Sequence, residues 1–168
     1  LIGGPDHIAW RYDPIIPTVH RMDRFHDLAR QATSASVTRG IVNFVAPPGR
    51  YKRVDARLHD LLPGWAEGMP GYDVAWQKAV AQDLVQIAEK CGISLYCCAE
   101  SASLSAQVPG LGDAACGDYA WFSALSDRDP GRVPYRGSRP GCGCARYFDV
   151  GNYGQWARCH GCAYCYAG

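Results

Sequence analysis

The chain has 168 residues, which is enough for one domain with its own hydrophobic core and too few for two domains of ordinary size. Its 48% hydrophobic residues, 20% charged residues and net charge of +1 are those of a globular protein. The longest nearly apolar run, residues 93–99, is far shorter than the roughly 20 residues of a spanning helix, so we expect no association with a membrane.

The first third of the chain predicts a strand, a helix and a second strand. Residues 7–16 form a β-type run that prolines close, with Arg11 and Asp13 at its carboxyl-terminal end. Residues 39–46 form a second, buried strand. Between the two strands, apolar side chains recur at spacings of three and four residues, as on one face of an amphipathic helix: Met22, Phe25, Leu28 and Ala32.

The middle of the chain predicts two more helices. Residues 51–62 are predicted to be helical, and Pro63 follows them. The second helix carries an apolar stripe over some four turns: Trp76, Val80, Leu84, Ile87 and Cys91. Asp73 is placed to cap this helix and Gly92 to end it.

The pattern becomes weaker after a third predicted strand at residues 93–98. Residues 101–112 are rich in small side chains and are predicted to form a loop. Residues 116–125 indicate one more short helix, and the chain from Asp127 onward is predicted to be irregular, with many prolines and glycines.

The alternation of strands and helices predicts an α/β fold built from parallel β-α-β units. Active groups in such sheets gather at the carboxyl-terminal ends of the strands, which here carry Arg11, Asp13, Asn43, Cys98 and Glu100. Arg11 and Asp13 have two interpretations. They are either a functional pair, in which the guanidinium group holds a carboxylate or a phosphate, or a structural ion pair.

Five of the nine cysteines lie near the carboxyl end of the chain: Cys142, Cys144, Cys159, Cys162 and Cys165. Nine is an odd number, which favours a metal–thiolate site in a reducing cytoplasm over a secreted disulfide framework. Two residues separate each of the last three cysteines, so a tight turn can keep their sulfurs on one side. Ferredoxin-type iron–sulfur clusters use this spacing with a fourth, more distant cysteine, for which Cys142 and Cys144 are the candidates.

Zinc fits the same spacing. Tetrahedral zinc accepts four thiolates, or three thiolates and an imidazole such as that of His160, so the spacing alone leaves iron–sulfur and zinc open. If only three thiolates bind a four-iron cluster, one iron is left for a small ligand, as in radical S-adenosylmethionine enzymes.

The other cysteines and the arginines of the tail are weaker signals. Cys98 and Cys116 are candidates for a cluster or a substrate site, whereas Cys91 and Cys97 are interpreted as small buried hydrophobic residues. From Asp127 onward there are six arginines against three aspartates. This excess is thin support for a nucleic-acid surface, and a solvated loop that packs its aromatic residues on the sheet is favoured.

Several short motifs occur in order from Trp10 to the end of the chain. They are Trp10-Arg11-Tyr12-Asp13-Pro14-Ile15, Tyr51-Lys52, Cys98-Ala99-Glu100, Cys116-Gly117-Asp118, Cys142-Gly143-Cys144, Asp149-Val150-Gly151-Asn152-Tyr153 and Cys162-Ala163-Tyr164-Cys165-Tyr166-Ala167. In these motifs the chain resembles the uncharacterised bacterial "domain of unknown function" family numbered eighteen forty-eight. That family in turn resembles radical S-adenosylmethionine proteins in its cysteine cluster, which lies at its carboxyl-terminal end.

The resemblance implies a fold and a division of the chain. Residues 1–126 would be part of a TIM-barrel-like α/β domain, the kind that radical S-adenosylmethionine enzymes use, with its first strands absent from this chain. Residues 127–168 would be an irregular tail, rich in cysteine and glycine, that binds metal and packs on the same domain.

The resemblance also implies a 4Fe-4S cluster on Cys159, Cys162 and Cys165, with S-adenosylmethionine as a cofactor beside Tyr164 and Asp149. Arg11, Asp13 and Glu100 would line the pocket of a small-molecule substrate whose identity is open. The chain has one residue fewer between Cys159 and Cys162 than the family has. Two alternatives remain: a non-catalytic domain with a structural zinc site on the same cysteines, and a four-cysteine electron-transfer cluster.

Overall fold

A computed structural model describes residues 3–65, 69, 72–98, 102–126 and 144 of the chain. The strands among these residues are β1 (Ala9–Ile15), β2 (Arg39–Phe44), β3 (Ser94–Cys97) and β4 (Gly112–Asp113). The α-helices among them are α1 (Met22–Ser34), α2 (Lys52–Leu61), α3 (Val74–Lys90), α4 (Ala102–Ser105) and α5 (Tyr119–Leu125).

The four strands form one parallel sheet in the order β1-β2-β3-β4. Val42 in the middle of β2 lies opposite Tyr12 on one side and Cys97 on the other. The predicted α/β class with parallel β-α-β units is therefore confirmed. Within the described residues the sheet is open, with β1 and β4 at its edges.

The described residues divide into two compact units. The first unit contains the sheet together with α1, α3, α4 and α5, and the second contains α2. In the first unit, α3 packs against both β3 and α1. Its buried face is Val80, Ala81, Leu84, Val85 and Ala88, which includes two members of the predicted stripe. Phe25 of α1 is fully buried, as its helical spacing predicts.

The carboxyl-terminal end of α3 explains how the chain enters β3. Gly92 has a φ of +71°, which a residue with a Cβ atom rarely adopts. Its N–H donates to the carbonyl of Glu89, and the N–H of Ile93 donates to the carbonyl of Ala88. This pair of bonds is a Schellman motif. The prediction that Gly92 ends the helix is thereby confirmed.

The second unit has a small core of its own around α2. Val54, Leu58, Trp65 and Met69 are buried there. Asp55 ties this unit together, since one carboxylate oxygen accepts from the Trp65 indole N–H at 3.2 Å and the other from the Gly49 backbone N–H at 3.0 Å. The predicted helix at residues 51–62 is confirmed at Lys52–Leu61.

Two local predictions differ from the structure. Pro14 lies within β1 and does not close it, and the pairing of β1 with β2 shifts register between Tyr12 and Ile15. A proline has no N–H for the ladder, so the strand continues only past an irregularity. The predicted loop at residues 101–112 contains the single-turn helix α4 and the start of β4, which are too short to give a periodic pattern.

None of the helices in the described part of the chain is both long enough and apolar enough to cross a lipid bilayer.

Candidate functional site

Three cysteines from distant parts of the chain meet in the first unit. Cys98 directly follows β3, Cys116 lies in the turn before α5, and Cys144 forms an antiparallel bridge with Asp118. The sulfurs of Cys98 and Cys116 are 3.3 Å apart, and the thiols of Cys116 and Cys144 are hydrogen-bonded to each other. We call these three residues the thiol cluster.

Hydrogen bonds hold the backbone segments around the thiol cluster together. The N–H of Ala114 donates to the carbonyl of Cys97 at 3.0 Å, which ties the segment that leads to Cys116 to the end of β3. The N–H of Gly117 donates to the sulfur of Cys144 at 3.3 Å. The Asp118 side chain then caps α5 by accepting from the N–H groups of Ala120 and Trp121. The cluster therefore lies on an ordered strand end and an ordered helix start.

Arg39 anchors the same turn from the sheet. Its guanidinium group pairs with Asp118 at 3.3 Å. It also lies over two aromatic rings, with its central carbon 4.1 Å from the centroid of Tyr96 and 4.9 Å from that of Trp121. A cation over an aromatic face is attracted by the ring's quadrupole. Arg39 thus links β2, β3 and α5 through one half-buried charge.

Arg11 and Asp13 lie beside the thiol cluster and form an ion pair with each other. Burial lowers the pKa of Arg11, but the charges of Asp13, Cys116 and Cys98 outweigh it and hold that pKa above its usual value. The Arg11 side chain is nevertheless 54% exposed, so solutes can reach it. Their ion pair agrees with the structural interpretation of these two residues. Their position beside the sulfurs is compatible with the functional interpretation as well.

The two touching thiols of the cluster differ in acidity. The hydrogen bond with Cys116 lowers the pKa of Cys98, and the positive charge of Arg11 acts in the same direction. The hydrogen bond with Cys144 lowers the pKa of Cys116, but the hydrogen bond with Cys98 and burial raise it to about 11. Either thiol can donate in the contact between the two sulfurs.

The neighbouring Cys97 behaves differently. It is fully buried, and burial raises its pKa to about 11. The interpretation of Cys97 as a small buried hydrophobic residue is therefore confirmed, while Cys91 is only half-buried. The sequence marks Cys98 and Cys116 as candidates for a cluster or a substrate site, but it does not predict that their sulfurs touch. The signal for Cys98 was its position at the end of a strand.

Of the predicted site residues, the structure describes Arg11, Asp13 and Cys144, and it brings all three into one region of the first unit. The remaining predicted residues lie outside the described residues: Glu100, Cys142, Asp149, Cys159, Cys162, Tyr164 and Cys165. Among the described residues, no three His, Cys, Asp or Glu side chains are arranged around a common point that could hold a metal ion.

Comparison with known proteins gives one match. The model of a family described as "Domain of unknown function (DUF1848)" matches residues 2–167, nearly the whole chain. Neither the curated proteins nor the solved structures contain a match.

Proposed function

This chain belongs to the DUF1848 family, and on that premise we propose that it is an iron–sulfur protein. Cys159, Cys162 and Cys165 hold the cluster in this proposal, because their two-residue spacing suits thiolate ligands on a tight turn. If a fourth thiolate binds, it comes from Cys142 or Cys144. A 4Fe-4S cluster supplies one-electron chemistry when bound.

One structural observation carries the proposal furthest. Of the five tail cysteines, Cys144 is the one within the described residues, and its sulfur accepts a backbone N–H bond from Gly117 at 3.3 Å. Backbone N–H groups aimed at sulfur stabilise the thiolate form that metals require, and they tune the potentials of iron–sulfur clusters. The environment of Cys144 supports a thiolate ligand in this part of the tail.

The radical S-adenosylmethionine-like chemistry is a narrower part of the same proposal and rests on the family resemblance. In it, three thiolates leave one iron open for the cofactor, Tyr164 shields the cluster, and Asp149 contacts the cofactor. Arg11, Asp13 and Glu100 line the substrate pocket. The exposed guanidinium of Arg11 is suited to a substrate that carries a carboxylate or a phosphate.

Anaerobic reconstitution of the full chain with iron and sulfide tests the proposal. We expect a brown protein with a broad charge-transfer absorption in the visible range. Cys162→Ser removes this absorption, whereas the matched variant Cys91→Ser, at a half-buried cysteine in the first unit, retains it. A colourless protein with one zinc per chain would contradict the iron–sulfur proposal and leave the structural zinc site.

Adding S-adenosylmethionine to the reconstituted protein separates the two cluster types. An open iron binds the cofactor, so the electron paramagnetic resonance spectrum of the reduced cluster changes. A cluster with four cysteine ligands gives the same spectrum with and without S-adenosylmethionine, and this result would assign electron transfer.

We also propose that the four strands belong to a barrel-like sheet. Their order is sequential and every pairing is parallel, as in a β/α barrel, whereas doubly wound sheets reverse their strand order at one point. The cysteine content further supports a reducing compartment such as the cytoplasm, where thiols stay reduced.

A further inference from the structure

The contact between Cys98 and Cys116 has a geometry close to that of a disulfide bond. Their sulfurs are 3.3 Å apart, and a disulfide bond measures about 2.0 Å, so a shift of little more than an ångström converts the contact into a bond. The cysteines lie on separately ordered segments, the end of β3 and the turn that Asp118 and Arg39 anchor. The contact is therefore a product of the tertiary fold.

The charged groups beside these two sulfurs are Arg11 and Asp13, which form an ion pair with each other. The Arg11 guanidinium lies close enough for its charge to act on both sulfurs and favours a thiolate on either, whereas burial and the Asp13 carboxylate oppose a thiolate on Cys98.

Access to the pair is through Cys116, which is half-buried, and the Arg11 side chain beside the two cysteines is open to solvent. Cys98 itself is buried, with 8% exposure. Cys97, the residue directly before Cys98 in the chain, is fully buried and offers an internal comparison.

We propose that Cys98 and Cys116 form a redox-active dithiol that reduces small-molecule disulfides. The thiolate of one cysteine attacks a sulfur of the small disulfide, which forms a mixed disulfide and releases one thiol. The second cysteine then displaces the other half. The protein gains one S–S bond, and the small disulfide takes up two electrons and the two cysteine protons to become two thiols.

Cys144 has a defined place in this site. Its thiol is hydrogen-bonded to Cys116, so it is the third sulfur within reach of an exchange reaction. Cys144 is also a candidate fourth ligand of the proposed cluster, whereas Cys98 and Cys116 are not among its ligands, so the exchange reaction of these two cysteines itself needs no metal.

Peptide mapping of the oxidised full chain tests the dithiol. The reduced protein is incubated with mixtures of reduced and oxidised glutathione, quenched with acid, alkylated and digested. Trypsin leaves Cys91, Cys97, Cys98 and Cys116 on one peptide, because no Lys or Arg lies between Cys91 and Arg128. Proteases that cut at Glu100 and Asp113 separate Cys98 from Cys116, so a link between them joins two peptides.

We expect a linked pair of peptides that contain Cys98 and Cys116 and lack two alkylation sites. Cys98→Ser and Cys116→Ser abolish the link and leave glutathione attached to the remaining cysteine, whereas Cys97→Ser retains the link at the parental yield. Far-ultraviolet circular dichroism verifies that each variant is folded. The peptide map of the parent protein tests for the link independently of any variant.

Three results would each overturn the proposal. In the first, both cysteines remain fully alkylated at every glutathione ratio. In the second, the link is lost in Cys97→Ser and kept in Cys98→Ser. In the third, neither cysteine reacts with oxidised glutathione until a chelator is added, which would show that a metal ion holds the pair.

Discussion

At the scale of single residues, His20 shows how burial sets a charge state in the first unit. Its Nδ1 lies 3.0 Å from the Tyr12 hydroxyl, and its ring meets the Tyr12 ring edge-on. Its Nε2 is buried and has no hydrogen-bond partner among the described residues. Burial lowers the pKa of His20 below its usual 6.5, because the charged ring would lose its hydration.

His20 should therefore make the protein sensitive to mild acid. Below pH 6.5 the unfolded chain binds a proton that the folded chain refuses, so the free energy of unfolding falls as pH falls from 6.5 toward the folded pKa. In His20→Gln, urea unfolding should show a weaker loss over this interval, because glutamine can accept from Tyr12 and does not titrate.

The exposed His26 provides the control for this prediction. His26→Gln should leave the acid dependence of the unfolding free energy unchanged. If His20→Gln and the parent lose stability in parallel below pH 6.5, another group is responsible for the acid sensitivity.

At the scale of elements, the start of α5 combines a helix cap with an ion pair. Asp118→Ala removes both the cap and the carboxylate that faces the half-buried Arg39, and we expect a loss of about 2 kcal/mol in the free energy of unfolding. Asp118→Asn keeps an oxygen for the cap and loses only the charge, so about 1 kcal/mol is expected. Urea unfolding measures both. Equal losses in the two variants would show that the cap contributes nothing.

The edge strand β4 depends on a close approach at Gly112. A Cβ atom there would collide with Cδ1 of Tyr96 on β3, whose ring lies under the guanidinium group of Arg39. Gly112→Ala should cost about 1–3 kcal/mol of unfolding free energy, because the strand or the ring must move. The exposed neighbour Asp113 gives a matched control, and Asp113→Ala should change stability by less than about 0.5 kcal/mol. A tolerated Gly112→Ala would mean that β4 is not tightly packed on Tyr96.

Elements with a sustained pattern could be predicted from the sequence, and those without one could not. The strands β1 to β3 and the helices α1, α2, α3 and α5 follow apolar spacing and the turn signals of Gly92 and Pro63. β4 has two residues, one of them glycine, and no alternation to detect. The meeting of Cys98 with Cys116 was missed because it depends on α4 and β4 returning the chain to the end of β3.

At the scale of the whole molecule, the sheet is the framework that brings the candidate site together. The register of its parallel strands places Arg11 level with Ile41 and Tyr96, so that Arg11 and Asp13 lie near Cys98 although they are far from it in the chain. The second unit has a separate core on α2, so the two units hold different parts of the hydrophobic interior. Stability within the first unit should then follow the position of each strand in the sheet.

Hydrogen exchange should resolve this order. β2 pairs on both sides and is buried along residues 40–44, so its amides should exchange most slowly. The amides of β1 that point away from β2 should exchange faster, and the two residues of β4 fastest. Exchange followed residue by residue with nuclear magnetic resonance measures these rates. If the outward amides of β1 are as protected as those of β2, the sheet continues past β1. That result would contradict the open edge and supply the additional pairing that a barrel requires.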